Sequence, residues 1–471
     1  MINFRQLVSW VSLPDAASPL VECKELENGA GRGLFATMDV PPNTPLIVLP
    51  GSKLLNKFTL RSSYPTSALD LTSMQLLTMH LFLHREGEND SFSPFIASLP
   101  QSFDSHPVAW YARAQLQTAS MLPRELISRI PETASARITA THARYQHDIE
   151  QVRLYLVGTQ IQLRNVELAK SRCSTRSEEE DFLWSWLCVN TRCIHLPITS
   201  TSSPEEDLTL VPLLDLANHS PDLPRACQFE VKYICDTRRG PSGSPHAPRS
   251  VILRSPASVT VKAGEEILLQ YGHHSNSALF SEYGFTLERR LDSDPSEVNL
   301  DYAIRLLLQP YASMKDLLER WDYWLDWTIH TSPPPAHPSY RLLTVLRLLA
   351  LPSSAITAAS QDLDSSPVRP KFPTGWPSED PYDCWKATVL GFADNVSEIN
   401  EQKARDQLLM ICQSLNEQAK GILRADRLAL SLTGATPTWL LYADHCLHGL
   451  WREVENTTRL VMESIARGEV F

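Results

Sequence analysis

The stretch "ENGAGRGLFATMDVPPNTP", residues 27–45, restricts the fold more than any other part of the chain. Gly31, Gly33 and Ala36 match the G-x-G-x-x-G/A spacing of a dinucleotide-binding turn, and "LVECKEL" before them reads as a strand. That turn works only if a helix begins at the glycines and presents its N-terminal amides to a pyrophosphate. Pro41, Pro42 and Pro45 exclude such a helix, because proline removes a helical hydrogen bond and clashes with the preceding turn. The chain continues as "LIVLP", a short apolar run with strand character. The glycines therefore join strand to strand, and a doubly wound nucleotide fold is excluded.

From this start the pattern changes three times. Residues 20–55 read as small strands and turns. Residues from about 68 to 192 read as helical: "LDLTSMQLLTMHLFLHR" has apolar residues at three and four spacing, 139–170 is long and weakly periodic, and Ser177 to Glu180 forms a capping box. Strands return over 208–290 in "LTLVPLLDL", "CQFEVKYIC", "SVILRS", "SVTV" and "EEILLQYG", with "DTRRGPSGSPHAPRS" (236–250) expected as a surface loop. From about 298 the chain is helical again, interrupted by the linker-like "SSPVRPKFPTGWPSEDP". The fold class expected is α+β: a β-rich unit split by a helical insert, then an all-helical domain. The boundaries are 1–67, 68–192, 193–295 and 296–471.

Bulk properties exclude several function classes. Forty-three Lys and Arg against 54 Asp and Glu leave a net charge of -11, which argues against a nucleic-acid binder and suits a basic protein partner. The nine cysteines are dispersed without a C-x-x-C pair, so neither a zinc cluster nor a disulfide framework is expected. No run approaches the roughly 18 apolar residues of a membrane span, and the first residues lack a long apolar core. The expectation is a soluble protein, cytoplasmic and/or nuclear, with no membrane or nucleic-acid partner.

Two polar constellations remain. In "LVPLLDLANHSPD", Asp215, Asn218, His219 and Ser220 gather at the end of an apolar strand, where a ligand can sit; a turn hydrogen-bonding its own backbone is the plain alternative. In "GEEILLQYGHHSNSALFSEYGF", Gly264 makes a turn, the strand ends at Tyr271-Gly272, Asn276 caps a short helix and Tyr283-Gly284-Phe285 closes it. The two tyrosines are either site residues or core aromatics with a polar tip. His273-His274 has no partner histidine at helical spacing and no nearby acidic ligand, so no metal is expected there.

In this order, "GRGLFA" (31–36), "NHS" (218–220) and "YGHHSNSALFSEYGF" (271–285) resemble the SET-domain methyltransferases. The resemblance is nearest to the branch of the Rubisco large-subunit lysine methyltransferase and the fungal ribosomal-protein lysine methyltransferases. "SPFIASLPQSF", "WSWLCVNTR" and the helical tail extend it over nearly the whole chain. The resemblance implies a catalytic domain with a pseudoknot, a helical insert within it and a helical substrate-binding domain after it. It implies S-adenosyl-L-methionine as cofactor, touched by Gly31, Arg32, Gly33, Leu34, Asn190, Arg192, Asn218, His219 and Tyr271. Arg192 has the alternative of holding a carboxylate within the fold. Tyr283 is implied as the catalytic tyrosine, Tyr271 as a further catalytic wall and Phe285 as a support of the substrate pocket. A monomer acting on a lysine of a folded, basic, non-histone protein is expected, a ribosomal or translation protein being one such target. The alternatives are a histidine methyltransferase of the same fold and a catalytically inactive binding scaffold.

Overall fold

The computed structural model describes residues 4–11, 20–85, 90–116, 121–158, 177–196, 206–233, 248–288, 294–356, 379–425 and 436–471. The loop expected at 236–250 and the linker at 365–381 lie outside these residues except at their C-terminal ends, as does the expected helical stretch beyond 158.

Ten short strands build the β-rich part. They are β1 (Val21–Glu25), β2 (Arg32–Ala36), β3 (Pro45–Pro50), β4 (Leu55–Asn56), β5 (Cys193–His195), β6 (Leu208–Leu210), β7 (Asn218–His219), β8 (Gln228–Tyr233), β9 (Pro248–Arg254) and β10 (Glu266–Leu269). They form three sheets in the orders β1-β2-β10-β7, β3-β9-β8 and β4-β6-β5. The first sheet positions the site. β1 and β2 pair antiparallel from Val21↔Ala36 to Glu25↔Arg32, and Leu26 N–H donates to the Gly31 carbonyl at 2.8 Å to close the hairpin. Gly31 turns this corner at φ +92°, where a side chain would be strained. β10 then lies antiparallel to β2 and parallel to β7, with Leu268 opposite Asn218 and Leu269 opposite His219.

The glycine segment is mostly strand, not loop. Only Gly31 lies in the turn, while Arg32 to Leu34 are paired residues of β2. Gly33 has its own reason to lack a side chain: a Cβ there would stand 2.3 Å from Glu266 Oε1 and 3.0 Å from Asn218 Nδ2.

The helical insert begins at the helix Ser73–His84, where Thr72 and Gln75 form a reciprocal capping box. Ser177 caps the helix Glu178–Arg192 by accepting from Glu180 N–H, but the reverse half of the expected box is replaced. The Glu180 carboxylate instead takes two hydrogen bonds from Arg113, at 2.8 and 3.0 Å. A bidentate guanidinium pair outcompetes a single backbone amide.

The apolar faces of Ser73–His84 and Glu178–Arg192 join the strands in one core, through Leu34, Leu76, Leu77, Phe182, Trp186 and Leu269. The C-terminal part has a separate core around Trp327, Leu346, Trp385, Leu408 and Trp451, built largely by the helices Tyr340–Leu349, Glu398–Arg424 and Thr438–Ala466. That part is helical as expected, with three short strands added: β11 (Glu297–Asn299), β12 (Thr328–His330) and β13 (His337–Pro338), paired antiparallel. Strands of two or three residues have no alternation for a sequence to display. A third apolar cluster joins the parts: Trp110 and Ile138 of the insert meet Phe280 and, from the last helix, Leu440, Leu447 and Leu450.

Candidate active site

Tyr271 follows β10 and is held on every side. Its backbone N–H donates to His219 Nδ1 at 3.1 Å, and its hydroxyl donates to the Ala217 carbonyl at 2.9 Å. The His219 ring stacks on it at 5.2 Å between centroids. The parallel pairing of β7 with β10 makes this possible, since it carries Ala217 to His219 alongside the end of β10. Burial pushes the Tyr271 hydroxyl well above the usual phenol range, so it stays protonated and continues to donate.

Tyr283 ends the helix Asn276–Tyr283, which stops because Gly284 adopts the left-handed conformation at φ +79°. A Cβ at Gly284 would lie 2.7 Å from His106 Cδ2, so glycine is required there on two counts. The cap at the other end is Ser275, which accepts from Ala278 N–H. Asn276, expected as the cap, instead brackets Leu287, accepting from its N–H at 2.8 Å and donating to its carbonyl at 3.2 Å. This ties the chain after Tyr283 back to the helix start. The rings of Tyr271 and Tyr283 stand 5.1 Å apart, and Phe285 lies 6.0 Å from Tyr283. Burial, then the neighbouring Glu282 carboxylate, raises the Tyr283 hydroxyl above its ordinary value. Among the described residues that hydroxyl has no hydrogen-bond partner.

The residue before it is the most heavily anchored. The Glu282 carbonyl accepts from Asn190 Nδ2 at 2.8 Å and from His106 Nε2 at 3.3 Å. Its carboxylate accepts from Thr141 Oγ1 at 3.0 Å and from Arg144 Nη2. Four residues from three segments of the insert thus fix Glu282 and the chain that carries Tyr283. Sequence reading passed over Glu282, His106, Thr141 and Arg144, although "SEYGF" sets Glu282 beside the tyrosine.

A cavity of about 1060 Å³ opens beside the tyrosines, lined by Asn190, Arg192, Asp215, Gln270, Tyr271 and Tyr283 among others. Arg192 Nη1 donates to Asp215 Oδ2 at 3.1 Å and to its carbonyl at 2.8 Å, so the carboxylate-holding alternative for Arg192 is realised. Burial raises the Asp215 carboxyl, opposed mainly by the Arg192 charge. Arg192 Nε, Asp215 Oδ1 and Gln270 Nε2 are buried without hydrogen-bond partners among the described residues. Buried polar atoms are rarely left so, and three on one cavity fit a polar, charged ligand.

The other expected cofactor residues form the layer behind Tyr271 and do not line this cavity. Asn218 Nδ2 donates to the Arg32 carbonyl at 3.0 Å and to Glu266 Oε1 at 2.7 Å, while Arg32 Nη2 donates to the Ser98 carbonyl. With both amide hydrogens engaged, Asn218 offers a ligand only its carbonyl oxygen. Gly31 has nothing within 4 Å of where a Cβ would stand, Leu34 is fully buried, and His219 is committed to Tyr271. Of the expected residues, Asn190, Arg192, Tyr271 and Tyr283 line the cavity, Gly33, Leu34, Asn218 and His219 lie in the adjoining strands β2 and β7, and Gly31 lies in the hairpin turn.

Known proteins are similar to this chain in sequence and in fold. The chain is 28% identical to the ribosomal lysine N-methyltransferase set11 of Schizosaccharomyces pombe over 372 residues, 76% of this chain and 78% of that one. It is 24% identical to human SET domain-containing protein 4 over 84% of this chain and 77% of that one. The fold matches the structure of Rubisco LSMT bound to AdoMet at a TM-score of 0.56 and 16% identity, covering 99% of this chain and 92% of that one. In sequence and in fold the chain is similar to SET-domain protein lysine methyltransferases. No protein-family model matches it. S-adenosyl-L-methionine is the ligand named for that matching structure. No described helix is long and apolar enough to cross a membrane.

Proposed function

We propose that this methyltransferase modifies the ε-amino group of a lysine in a folded, basic, non-histone protein, with ribosomal or translation proteins as the target class. The observation that carries the reading is the unpartnered Tyr283 hydroxyl on the wall of a cavity whose Arg192, Asp215 and Gln270 keep unpartnered buried polar atoms. Support for the target class comes from set11 and from ribosomal lysine N-methyltransferase 2 of Saccharomyces cerevisiae, 23% identical over 76% of this chain. The net charge of -11 suits a basic partner. The division into catalytic parts 1–67 and 193–295, insert 68–192 and substrate-binding part 296–471 belongs to the same proposal, as does action as a monomer in the cytoplasm and/or nucleus.

The residues fit the cofactor. Asn218 would offer its open oxygen to the ammonium of the cofactor's amino-acid end, Arg192 Nε would donate to its carboxylate, and the backbone from Gly31 to Leu34 with His219 would border the adenosine. Asn190 acts through Glu282 rather than by direct contact. S-adenosyl-L-methionine supplies a sulfonium-bound methyl group for in-line transfer. The chain must present lysine as a neutral amine, whereas free lysine has a pKa of about 10.4. A channel walled by Tyr271, Tyr283 and Phe285 excludes water, which disfavours the ammonium form. The Tyr283 hydroxyl, free of internal partners, accepts from an N–H of the amine and so leaves its lone pair free to point at the methyl. Tyr271 contributes a fixed wall, and its backbone position is held by His219.

The test is mass spectrometry of an extract lacking the enzyme, after incubation with the purified protein and S-adenosyl-L-methionine. Methyl groups on lysine of a ribosomal or translation protein are expected. A methylated histidine would replace the lysine reading with its nearest relative, and no product with no saturable cofactor heat would leave a scaffold. Asn218→Ala should weaken cofactor binding by on the order of 1.5–3 kcal/mol in calorimetry while the protein stays folded. An unchanged dissociation constant removes Asn218 from the site.

A further inference from the structure

The helix Ser73–His84 carries His80 and His84 one turn apart, on a common face. Asp90 returns to that face, and one ligand atom from each of the three lies within 4.8 Å of the others. The imidazole rings are 4.6 Å apart between centroids. None of the three lines the cavity described above.

The state of His80 makes this a site rather than a coincidence of polar residues. Its side chain is 1% exposed, and its Nδ1 is hydrogen-bonded with the Tyr64 hydroxyl at 2.9 Å. Its Nε2 is buried with no hydrogen-bond partner among the described residues. Asp90 Oδ2 is 3.5 Å from it. A good N–H···O hydrogen bond would draw the two atoms to about 2.9 Å. Two ligand atoms bound tetrahedrally to one zinc, each about 2.05 Å from it, stand about 3.4 Å apart. The separation fits two ligands of a shared ion better than a donor and its acceptor. Tyr64, acting as acceptor for Nδ1–H, orients the ring and leaves the Nε2 lone pair facing His84 and Asp90, as outer partners of metal-bound histidines do. His84 is half-buried, one helical turn beyond His80.

We propose that His80, His84 and Asp90 form a zinc site that staples the end of the first insert helix to the segment that follows it. Two imidazoles and a carboxylate suit zinc, with water as the fourth ligand. The site is structural, since it tethers Asp90, whose carboxylate also accepts from Phe92 N–H at 2.7 Å, to a helix packed in the main core. The signal in the sequence was His80-x-x-x-His84 at helical spacing.

The test uses the full-length protein stripped with chelator and titrated with Zn²⁺ by calorimetry and with Co²⁺ by absorption. One equivalent should bind, Co²⁺ should give the visible bands of a low-coordinate nitrogen and oxygen site, and zinc should raise the thermal midpoint. His84→Gln and Asp90→Asn should each raise the dissociation constant at least tenfold and abolish that rise. If His80 and Asp90 form only an ion pair, the folded wild type gives no saturable heat and no Co²⁺ bands, and Asp90→Asn lowers the midpoint equally with and without zinc. Either that pattern or binding unchanged in both variants overturns the site. The Co²⁺ spectrum of the wild type decides the matter even where a variant misfolds.

Discussion

Tyr271 and Tyr283 face each other across 5.1 Å, but the strand end that carries one and the helix end that carries the other are held in different ways. At the strand end, the side chain itself is bound: hydroxyl to Ala217, ring against His219. At the helix end, the preceding residue is bound, the Glu282 carbonyl by His106 and Asn190 and its carboxylate by Thr141 and Arg144, and the Tyr283 hydroxyl is left open. A group whose hydrogen bonds are already made adds shape, whereas a fixed group with an open hydroxyl can engage a reactant without breaking anything. This difference supports the proposed roles, a wall for Tyr271 and alignment of the amine for Tyr283.

The sharpest way to break this comparison is Tyr283→Phe. It keeps the ring and its packing, so the thermal midpoint should hold while single-turnover methylation falls by about 10² or more, roughly 2.7 kcal/mol. A folded variant that methylates at the wild-type rate would transfer the role to Tyr271.

Acid should act next, and on the helix end first. His106 is 1% exposed and burial lowers it to about 4, against the pull of the Glu282 carbonyl and carboxylate. Its Nδ1 accepts from Val108 N–H at 3.2 Å, a hydrogen bond that protonation destroys. The folded state therefore resists a proton that the unfolded chain takes up near pH 6.5. This contribution is complete above that pH and is lost as pH falls toward 4, by about 2 kcal/mol after relaxation of the site. Urea unfolding across that range checks it, and a flat profile in this window would detach His106 from the anchoring of Tyr283.

Asn190→Ala removes one anchor of Glu282 and should lower turnover by roughly tenfold, about 1.4 kcal/mol, with cofactor affinity unchanged. A loss of cofactor affinity with normal turnover would return Asn190 to direct contact. The smallest effect is expected from Tyr271→Phe. Losing its hydrogen bond to Ala217 should cost about 1 kcal/mol of stability and leave turnover within a few-fold. A larger fall in turnover than that of Tyr283→Phe would invert the assignment.

Much of this was legible along the chain. Proline after Gly33 excluded a helix and left the glycines joining strand to strand, apolar spacing marked Ser73–His84, the cap at Ser177 marked Glu178–Arg192, and Gly284 marked the helix end that presents Tyr283. These are local effects: steric restriction, periodicity and capping act over a few residues and leave a trace in the sequence that causes them. What only the tertiary structure decided depends on partners far apart in the chain. Gly33 is needed because Glu266 and Asn218 close on it, Arg192 is paired to Asp215, and Asn190 reaches 92 residues to the Glu282 carbonyl. Which tyrosine keeps an open hydroxyl was undecidable from two similar Tyr-Gly pairs, 271–272 and 283–284, because the difference lies in the Ala217 carbonyl that β7 brings beside β10. A side chain's residue type states what bonds it can form, and only the packed chain determines which of them are already spent.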